Sequence, residues 1–426
     1  MRLVLLSPLP PERTGIADYA AQCRHALNAA GVDVLTPLLG QRPLESLAEA
    51  CRWVAERDWS RVDVVHAEIG GGRTSEFFAL CALASLPDRP ALSVTVHDPE
   101  RLVWRPVSRL WRALDRSRLL PRPLMQLLAV LSDPHTLWAE RRLARQVDGL
   151  VTLTDTGANR LAARMGVPRS KVTVIPLGTV ELPPQPLPPL PPEGPLKLLY
   201  FGYIYTGKGI EDLVDALARV VARQPAGGTP VRLTIAGGTA PDITYGGGGS
   251  YLDALRARVA AKGLEPLVDW ELDVDERDIA SLIQRHHVMV LPYWEPRKLS
   301  LLGQMRGTSA ALAWAIASGR GAITSDARSF AEEISSGNGQ AYPQGDVAAL
   351  TKALASLMDA PEQAGAWARQ AAALSSQRVW PLNGMRFRQH FDILAQRRVA
   401  QGRPQPRPST LPPSAHSAVR PTAKEP

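Results

Sequence analysis

One stretch of the sequence, RGTSAALAWAIASGRGAI (residues 306–323), places a basic residue and a small turn at the start of an alanine-rich helix. The turn consists of Gly307, Thr308 and Ser309. The first backbone amides of a helix have no intrahelical partner, and the helix dipole adds partial positive charge there. These amides therefore suit an anion, to which Arg306 adds a full positive charge. The predicted ligand of the turn is a diphosphate.

Lys208 lies in a second loop of this kind, between a strand that ends at Gly202 and an amphipathic helix that begins after Gly209. A lysine ammonium beside a glycine at a helix start can neutralise a phosphate as a point charge. The spacing of a Walker loop, G-x-x-x-x-G-K-[ST], is absent here. The alternative interpretation is an ordinary loop lysine in contact with solvent.

Two candidates in the N-terminal half of the chain follow strand-like segments. In VTVHDPE (residues 94–100), His97 and Asp98 end an apolar run. Such a histidine can bond a substrate hydroxyl or shuttle a proton, and the alternative is a structural histidine bonded to the neighbouring loop. In PLPPERTGIADY (residues 8–19), Gly15 opens a helix, where it either allows close approach of a ligand or forms a tight turn.

Short strand-like runs alternate with helix-like segments along both halves of the chain. This alternation predicts an α/β fold with two Rossmann-like, doubly wound parallel sheets, whose ligands bind beyond the carboxyl ends of the strands. The predicted divisions are an N-terminal domain at 1–180, a stiff Pro-rich linker at 181–195, a C-terminal domain at 196–380, a helix at 381–400 that packs back on the first domain, and a disordered tail at 401–426.

The composition is that of a globular protein, with 45% hydrophobic residues and no run of 18 apolar residues that would predict a membrane-spanning helix. Three cysteines, Cys23, Cys51 and Cys81, are widely spaced, which fits reduced cytoplasmic thiols and shows no metal-ligand spacing. The net charge of +8 leaves nucleic acid, an anionic membrane surface and phosphorylated substrates open as partners.

The order of these motifs resembles that of the nucleotide-sugar glycosyltransferases of the GT-B fold, especially the large family 4. The similarity covers about residues 1–385. It includes PLPPERTGIADY, VTVHD, KVTVIPLGT, LLYFGYIYTGKGIEDLVDAL, and the stretch from VMVLPY to ALAWAIASGRGAITSD. The order and spacing of the motifs across two domains carry the resemblance, rather than any one of them.

The resemblance implies two domains that face a cleft, with the donor held by the C-terminal domain and the acceptor by the N-terminal domain. Gly202, Lys208 and the amides of residues 307–309 would hold the diphosphate of a UDP-, GDP- or ADP-sugar, without a metal or other cofactor. Gly15 and His97 would lie on the acceptor side, near the sugar and phosphates. The implied activity is transfer of a sugar to a glycan or lipid-linked acceptor in polysaccharide or glycolipid biosynthesis, with retention of configuration.

The sequence departs from this family at the donor site. Many members have an arginine in the loop before the lysine, where this chain has Tyr203 and Tyr205. Arg306 and Trp314 occupy the positions of two glutamates, and neither accepts hydrogen bonds as a carboxylate does. The candidates to take over contacts with the sugar or ribose are Glu295, Glu332 and Glu333. An inverting reaction would need a base on the N-terminal side, for which the candidates are Asp18, Glu68, His97 and Asp98.

Residues 101–145 carry ten arginines, with Trp104, Trp111 and Trp138 and many leucines between them. A basic segment with this pattern can lie on an anionic leaflet, so we expect a cytoplasmic protein that binds the inner face of the membrane peripherally. An ordinary helix pair with a solvated arginine face is the alternative. Nucleic acid is not expected, because no nucleic-acid-binding module is visible.

Two other functions stay open at this point. The absence of the glutamate pair suits a non-catalytic GT-B-like binding protein or partner subunit. A nucleotide-sugar epimerase shares the same fold. Donor binding without turnover would identify the first, and analysis of the products would identify the second.

Overall fold

The computed structural model describes residues 1–12, 14–103, 121, 124, 137–224, 228–238, 251–295 and 307–402. Two six-stranded sheets with parallel strand pairing organise this part of the chain, which confirms the predicted α/β fold with two doubly wound sheets. Three subjects of sequence-based predictions fall outside the described residues, namely Arg306, most of the basic segment 101–145 and nearly all of the tail 401–426.

The first sheet has the strand order β2-β1-β3-β4-β5-β6. Its strands are Arg2–Leu6 (β1), Asp33–Leu35 (β2), Val64–Ile69 (β3), Ala91–Val96 (β4), Gly149–Thr152 (β5) and Val172–Val174 (β6). The helices described in this half are Gly15–Ala29 (α1), Leu47–Ala55 (α2), Ser75–Leu83 (α3), Leu137–Gln146 (α4) and Asp155–Met165 (α5), with a 3-10 turn at Arg169–Lys171. Every residue of β3 and β4 is buried, as expected of a parallel sheet with both faces covered.

The second sheet has the strand order β12-β11-β10-β7-β8-β9. Its strands are Leu196–Phe201 (β7), Val231–Gly237 (β8), Val268–Leu272 (β9), Val288–Leu291 (β10), Gly321–Ser325 (β11) and Gly339–Tyr342 (β12). The helices are Ile210–Arg223 (α6), Tyr251–Ala261 (α7), Ile279–Gln284 (α8), Ala310–Ala317 (α9), Phe330–Glu333 (α10), Val347–Asp359 (α11), Gln363–Ser376 (α12) and Trp380–Ala400 (α13), with 3-10 turns at Glu265–Leu267 and Glu276–Asp278. Within the described ranges, no helix has both the length and the apolar character needed to cross a bilayer.

The strand orders explain where the candidate residues lie. The first sheet changes its direction of growth between β1 and β3, and the second changes between β7 and β10. Loops that leave neighbouring strands at such a switch point run to opposite faces of the sheet, so a crevice opens beyond the carboxyl ends. The loops after β7 and β10, which include Lys208 and Tyr293, therefore border the crevice of the second sheet.

Two elements of the C-terminal half have only weak patterns in the sequence. The strand β12 is a short edge strand, GQAY, without the run of branched residues that marks a central strand. The helix α12 buries mainly small side chains, such as Ala364 and Ala371 beside Trp367, so its apolar stripe is weak in the sequence.

The chain crosses between the two halves twice, and the crossings pair with each other. The backbone N–H of Thr179 donates to the carbonyl of Arg378 at 2.9 Å. The segment 181–195 between the sheets contains no helix or strand. The helix α13 lies against the first half of the chain, where His390 Nε2 is 3.1 Å from Ser93 Oγ. The last helix that the structure describes thereby packs on the N-terminal sheet.

Candidate functional site

The carboxyl ends of β7 and β8 meet at two glycines. Gly202 has φ 143° and Gly237 has φ 131°, both in a region that side chains disfavour. A Cβ atom at Gly237 would lie 2.1 Å from the carbonyl oxygen of Gly202, and a Cβ at Gly202 would lie 3.0 Å from Tyr293 Oη. Only glycine lets the ends of β7 and β8 lie this close to each other. The loop after β7 then lies over the ring of Tyr293.

Lys208 lies on that ring. Its Nζ is 3.8 Å from the centroid of Tyr293 and 5.2 Å from that of Tyr205, so the ammonium contacts the negative faces of two aromatic rings. The next residue, Gly209, has φ 66°, and a Cβ there would lie 1.8 Å from the carbonyl oxygen of Pro292. Burial, together with the nearby positive charge of Arg328, lowers the pKa of Lys208 to about 7.

The turn at Gly307, Thr308 and Ser309 faces the other half of the chain. A Cβ at Gly307 would lie 2.5 Å from the carbonyl oxygen of His97 and 3.3 Å from Asp98 Oδ1. Ser309 precedes the first residue of α9, and its side chain makes no capping hydrogen bond to the helix. The structure thus brings the predicted anion turn and the predicted catalytic histidine to one place between the two sheets.

His97 forms the accessible end of a buried hydrogen-bonded chain. Its Nε2 lies 2.9 Å from Glu68 Oε2, and His66 Nε2 lies 3.2 Å from Glu68 Oε1 and 2.9 Å from Thr95 Oγ1. The side chain of His97 is 13% exposed, whereas those of Glu68 and His66 are fully buried. Burial raises the pKa of the Glu68 carboxyl, but the hydrogen bonds with the two histidines outweigh it and lower that pKa to about 2.

A charged Glu68 determines how His97 can act. The carboxylate accepts a hydrogen from Nε2 of His97, so Nδ1 is the ring nitrogen that has no hydrogen-bond partner among the described residues. The edge of the Tyr19 ring, whose centroid is 4.8 Å from that of His97, restricts the ring plane further. His97 is therefore held in one tautomer and one orientation.

The other predicted residues of the N-terminal half have different surroundings. Asp98 Oδ2 accepts a hydrogen bond from the backbone N–H of Gly71 at 2.9 Å. Asp18 lies on the first turn of α1 with its side chain mostly in contact with solvent, and the part of its carboxyl that is desolvated, together with the negative charge of Glu276, raises its pKa. A Cβ at Gly15 would meet no heavy atom within 4 Å, so packing within the described residues gives no reason for a glycine there.

The three predicted carboxylates of the C-terminal half already have partners. Glu295 Oε1 accepts from the backbone N–H of Arg328 at 3.0 Å. Glu333 Oε2 accepts from Nη1 of Arg378 at 2.9 Å, and burial raises the pKa of Glu333. Their role as contacts for the sugar or ribose stays a prediction.

Glu332 binds across the two halves of the chain. Its two carboxylate oxygens accept the backbone N–H groups of Asp155 and Thr156, each at 2.7 Å, at the N-terminus of α5. Beside them, Thr154 Oγ1 donates to Ser329 Oγ at 3.0 Å. These bonds hold the loop before α10 against the first half of the chain.

Sequence reasoning missed Tyr293 and Arg328, which the structure places next to Lys208 and the anion turn. Tyr293 is only 2% exposed and carries the ring on which Lys208 lies. Arg328 occurs in SDARSF, where no local pattern separates it from an ordinary surface arginine. Its position near Lys208 results from the pairing of β11 with β10.

Trp314 lines a cavity of about 750 Å³ beside the linker, together with Val180, Leu182 and Glu276. A space of this size is in the range of small-molecule sites. Trp314 follows Ser309 by five residues along α9, a rise of roughly 7.5 Å. Within the described ranges, no cluster of three or more His, Cys, Asp or Glu side chains is placed to bind a metal ion.

Comparisons with known proteins divide the chain at the same place as the linker. The Glycosyl transferase 4-like domain matches residues 16–178, and the family Glycosyl transferases group 1 matches residues 195–360. Together the two matches span most of the chain. No curated protein sequence matches it significantly.

Solved structures share the fold at low sequence identity. Sucrose-phosphate synthase from Thermosynechococcus elongatus is 17% identical, with a TM-score of 0.65 over 93% of this chain and 100% of that one. The apo lipopolysaccharide outer core galactosyltransferase WaaB is 14% identical, with a TM-score of 0.62 over 92% and 99%. HepE from Anabaena in complex with UDP-glucose is 16% identical, with a TM-score of 0.59 over 92% and 100%. Each likeness is one of fold.

Binding of a diphosphate should be coupled to protonation of Lys208. The pKa of its ammonium is about 7 without ligand, and an adjacent anion raises it. Affinity should therefore be full below about pH 7 and fall as the pH rises towards roughly 9. Isothermal titration with UDP, GDP and ADP in two buffers of different ionisation enthalpy measures the proton uptake. Lys208→Met should abolish the uptake, whereas Lys262→Met should not, and equal uptake in wild type and Lys208→Met would contradict the assignment.

Replacing Glu68 with glutamine should destabilise the fold in a pH-dependent way. The Glu68 pKa is lowered to about 2 in the folded state from 4.5, so its stabilisation is full above about pH 4.5 and is lost as the pH falls towards 2. We expect Glu68→Gln to lose about 1–3 kcal/mol of unfolding free energy at pH 7 and less at roughly pH 4. Urea unfolding at both pH values measures the difference, with the exposed Glu56→Gln as control. A difference from wild type that is equal at both pH values would refute this account.

Proposed function

The chain belongs to the glycosyl transferases of group 1 and is a glycosyltransferase with the GT-B arrangement; from that premise we propose that it transfers a sugar from a nucleotide-sugar donor to a glycan or lipid-linked acceptor. The observation that supports this most is the meeting of three features between the two sheets. Lys208 lies beside the switch point of the second sheet, the turn at 307–309 opens α9, and His97 touches that turn from the first sheet.

The proposed reaction needs positive charge where the leaving group forms. As the bond between the anomeric carbon and the diphosphate oxygen breaks, negative charge collects on the diphosphate. In this proposal the Lys208 ammonium and the amides of residues 307–309 stabilise that charge, and such stabilisation is often the largest single contribution to catalysis. We propose a metal-independent reaction on this basis, because these groups supply charge of the sign that a metal ion would supply.

The acceptor oxygen forms the new bond to the anomeric carbon, and its proton passes to the departing phosphate oxygen in a reaction that retains configuration. In this scheme His97 binds a sugar hydroxyl through Nδ1, because Glu68 occupies Nε2. Asp98 and Asp18 remain the other candidates on the acceptor side. For an inverting reaction, His97 would be the base that receives the acceptor proton.

The choice of donor follows from the structural neighbours. HepE from Anabaena has been solved with UDP and with UDP-glucose. We propose a UDP-sugar as the first donor to test, with GDP- and ADP-sugars next, and no cofactor besides this substrate. We propose the cavity at Trp314 as the place of the nucleoside.

A donor screen tests the proposed activity. The protein is mixed with UDP-glucose, UDP-galactose, GDP-mannose or ADP-glucose, and thermal unfolding and nucleotide release are recorded with and without a panel of glycan and lipid-linked acceptors. At least one donor should raise the melting temperature and release nucleoside diphosphate when the acceptor is present. Lys208→Met should weaken the binding of that donor roughly tenfold to a hundredfold, while Lys262→Met should bind it as wild type does. No response to any donor would refute the proposal.

The donor screen also distinguishes two alternative functions from sugar transfer. Arg306 and Trp314 stand where a carboxylate pair was expected, which favours a non-catalytic binding protein or partner subunit. Such a protein would bind a donor and release no nucleotide with any acceptor. An epimerase would convert the donor without transfer, and chromatography of the sugar products would reveal it.

We further propose that the acceptor is reached at the inner face of a membrane, in polysaccharide or glycolipid assembly. The support is the sequence of the basic segment 101–145, with its arginines, tryptophans and leucines. The protein should co-sediment with vesicles that contain phosphatidylglycerol and not with pure phosphatidylcholine, and added salt should release it because exposed charges are screened. Binding that ignores lipid charge and salt would rule this out.

A further inference from the structure

Arg328 has a backbone conformation that arginine rarely adopts. Its φ is 59°, and among the described residues only Asp273 is another non-glycine residue with clearly positive φ. This left-handed region is unfavourable for an L-residue, and it persists only where the surroundings enforce it. Here the buried Glu295 enforces it, because its Oε1 accepts the backbone N–H of Arg328 at 3.0 Å. We propose that Arg328 is kept in this strained turn because its guanidinium binds the donor diphosphate together with Lys208.

The guanidinium lies between the two parts of the proposed donor site. Nη1 of Arg328 donates to the carbonyl oxygen of Thr308 at 3.0 Å, inside the anion turn. Its Cζ is 5.8 Å from the centroid of the Tyr293 ring, the same ring that Lys208 Nζ approaches to 3.8 Å. One aromatic ring thus carries a cation from the loop after β7 and another from the loop after β11. Thr308 is the hydrogen-bond partner of the guanidinium among the described residues, which leaves its other N–H groups to contact a ligand.

The two cations have no carboxylate partner among the described residues. Over the part of the chain that the structure describes, neither Lys208 nor Arg328 forms an ion pair with a carboxylate. The positive charge of Arg328 is one reason, after burial, that the Lys208 pKa falls to about 7. Two like charges held close together favour a ligand with at least two negative charges. A diphosphate meets this requirement, and a planar guanidinium can contact it in a bidentate manner.

This inference rests on the proposed function, since it names a further binding residue for the same donor. It also distinguishes the phosphates of the ligand from its nucleoside. In this proposal Arg328 contacts the phosphates. Removal of its guanidinium should therefore weaken the binding of a nucleoside diphosphate strongly and leave the binding of the corresponding nucleoside unchanged.

The experiment uses the full chain and whichever of UDP, GDP or ADP binds wild type most tightly, with the matching nucleoside as a second probe. Arg328→Gly removes the guanidinium and fits the left-handed turn, so its melting temperature should equal or exceed that of wild type. Its Kd for the nucleoside diphosphate should rise roughly tenfold to a hundredfold, and its Kd for the nucleoside should stay unchanged. Arg328→Gln tests the loss of charge alone, and the exposed Arg223→Gln is the control for charge elsewhere on the domain.

The outcomes separate this inference from the proposed function. If wild type binds none of the three nucleoside diphosphates, the proposed function fails, and this inference with it. A second outcome is that wild type binds one of the nucleoside diphosphates and Lys208→Met binds it more weakly, whereas Arg328→Gly and Arg328→Gln bind it as wild type does. In that case only the role of Arg328 is overturned. An equal loss of diphosphate and nucleoside binding would show a structural effect and would also overturn it.

Discussion

The contact between Gly307 and the carbonyl of His97 sets the geometry of the whole site. Parallel strands place their carboxyl ends at one edge of each sheet, so every candidate group projects from one of two edges. The two edges face each other, and they meet where a single added carbon would come within 2.5 Å of the His97 oxygen. The anion turn and the histidine are neighbours because of this one close approach, which the bonds of Glu332 to α5 reinforce.

The two sides of this contact differ in how their charges are balanced. On the N-terminal side, Glu68 lies fully buried between two histidines and is hydrogen-bonded to Nε2 of each without any ligand. On the C-terminal side, Lys208 and Arg328 share the Tyr293 ring and have no carboxylate partner among the described residues. A side that is already balanced can orient a substrate rigidly, whereas a side with unbalanced cations attracts an anion. The asymmetry matches the roles proposed for acceptor and donor.

Carboxylates around the anion turn serve the backbone rather than opposing the cations. Glu295 holds the amide of Arg328, and Glu332 holds the first amides of α5. In both cases a carboxylate accepts hydrogen bonds from N–H groups that have no other partner in a turn or at a helix start. By fixing the turn at Arg328, Glu295 also places a positive charge next to Lys208.

The sequence by itself determined the two-sheet fold, because alternating apolar runs and amphipathic helices report local burial. It also indicated Lys208, His97 and the turn at 307–309, since a glycine or a polar residue at the end of an apolar run stands out locally. Only the tertiary structure decided that Glu68 is the partner of His97, and that Arg328 joins Lys208 on Tyr293. Those pairings depend on the order of strands in a sheet and on the contact between two sheets. A parallel sheet brings together residues far apart in sequence, so no local pattern records which of them become neighbours.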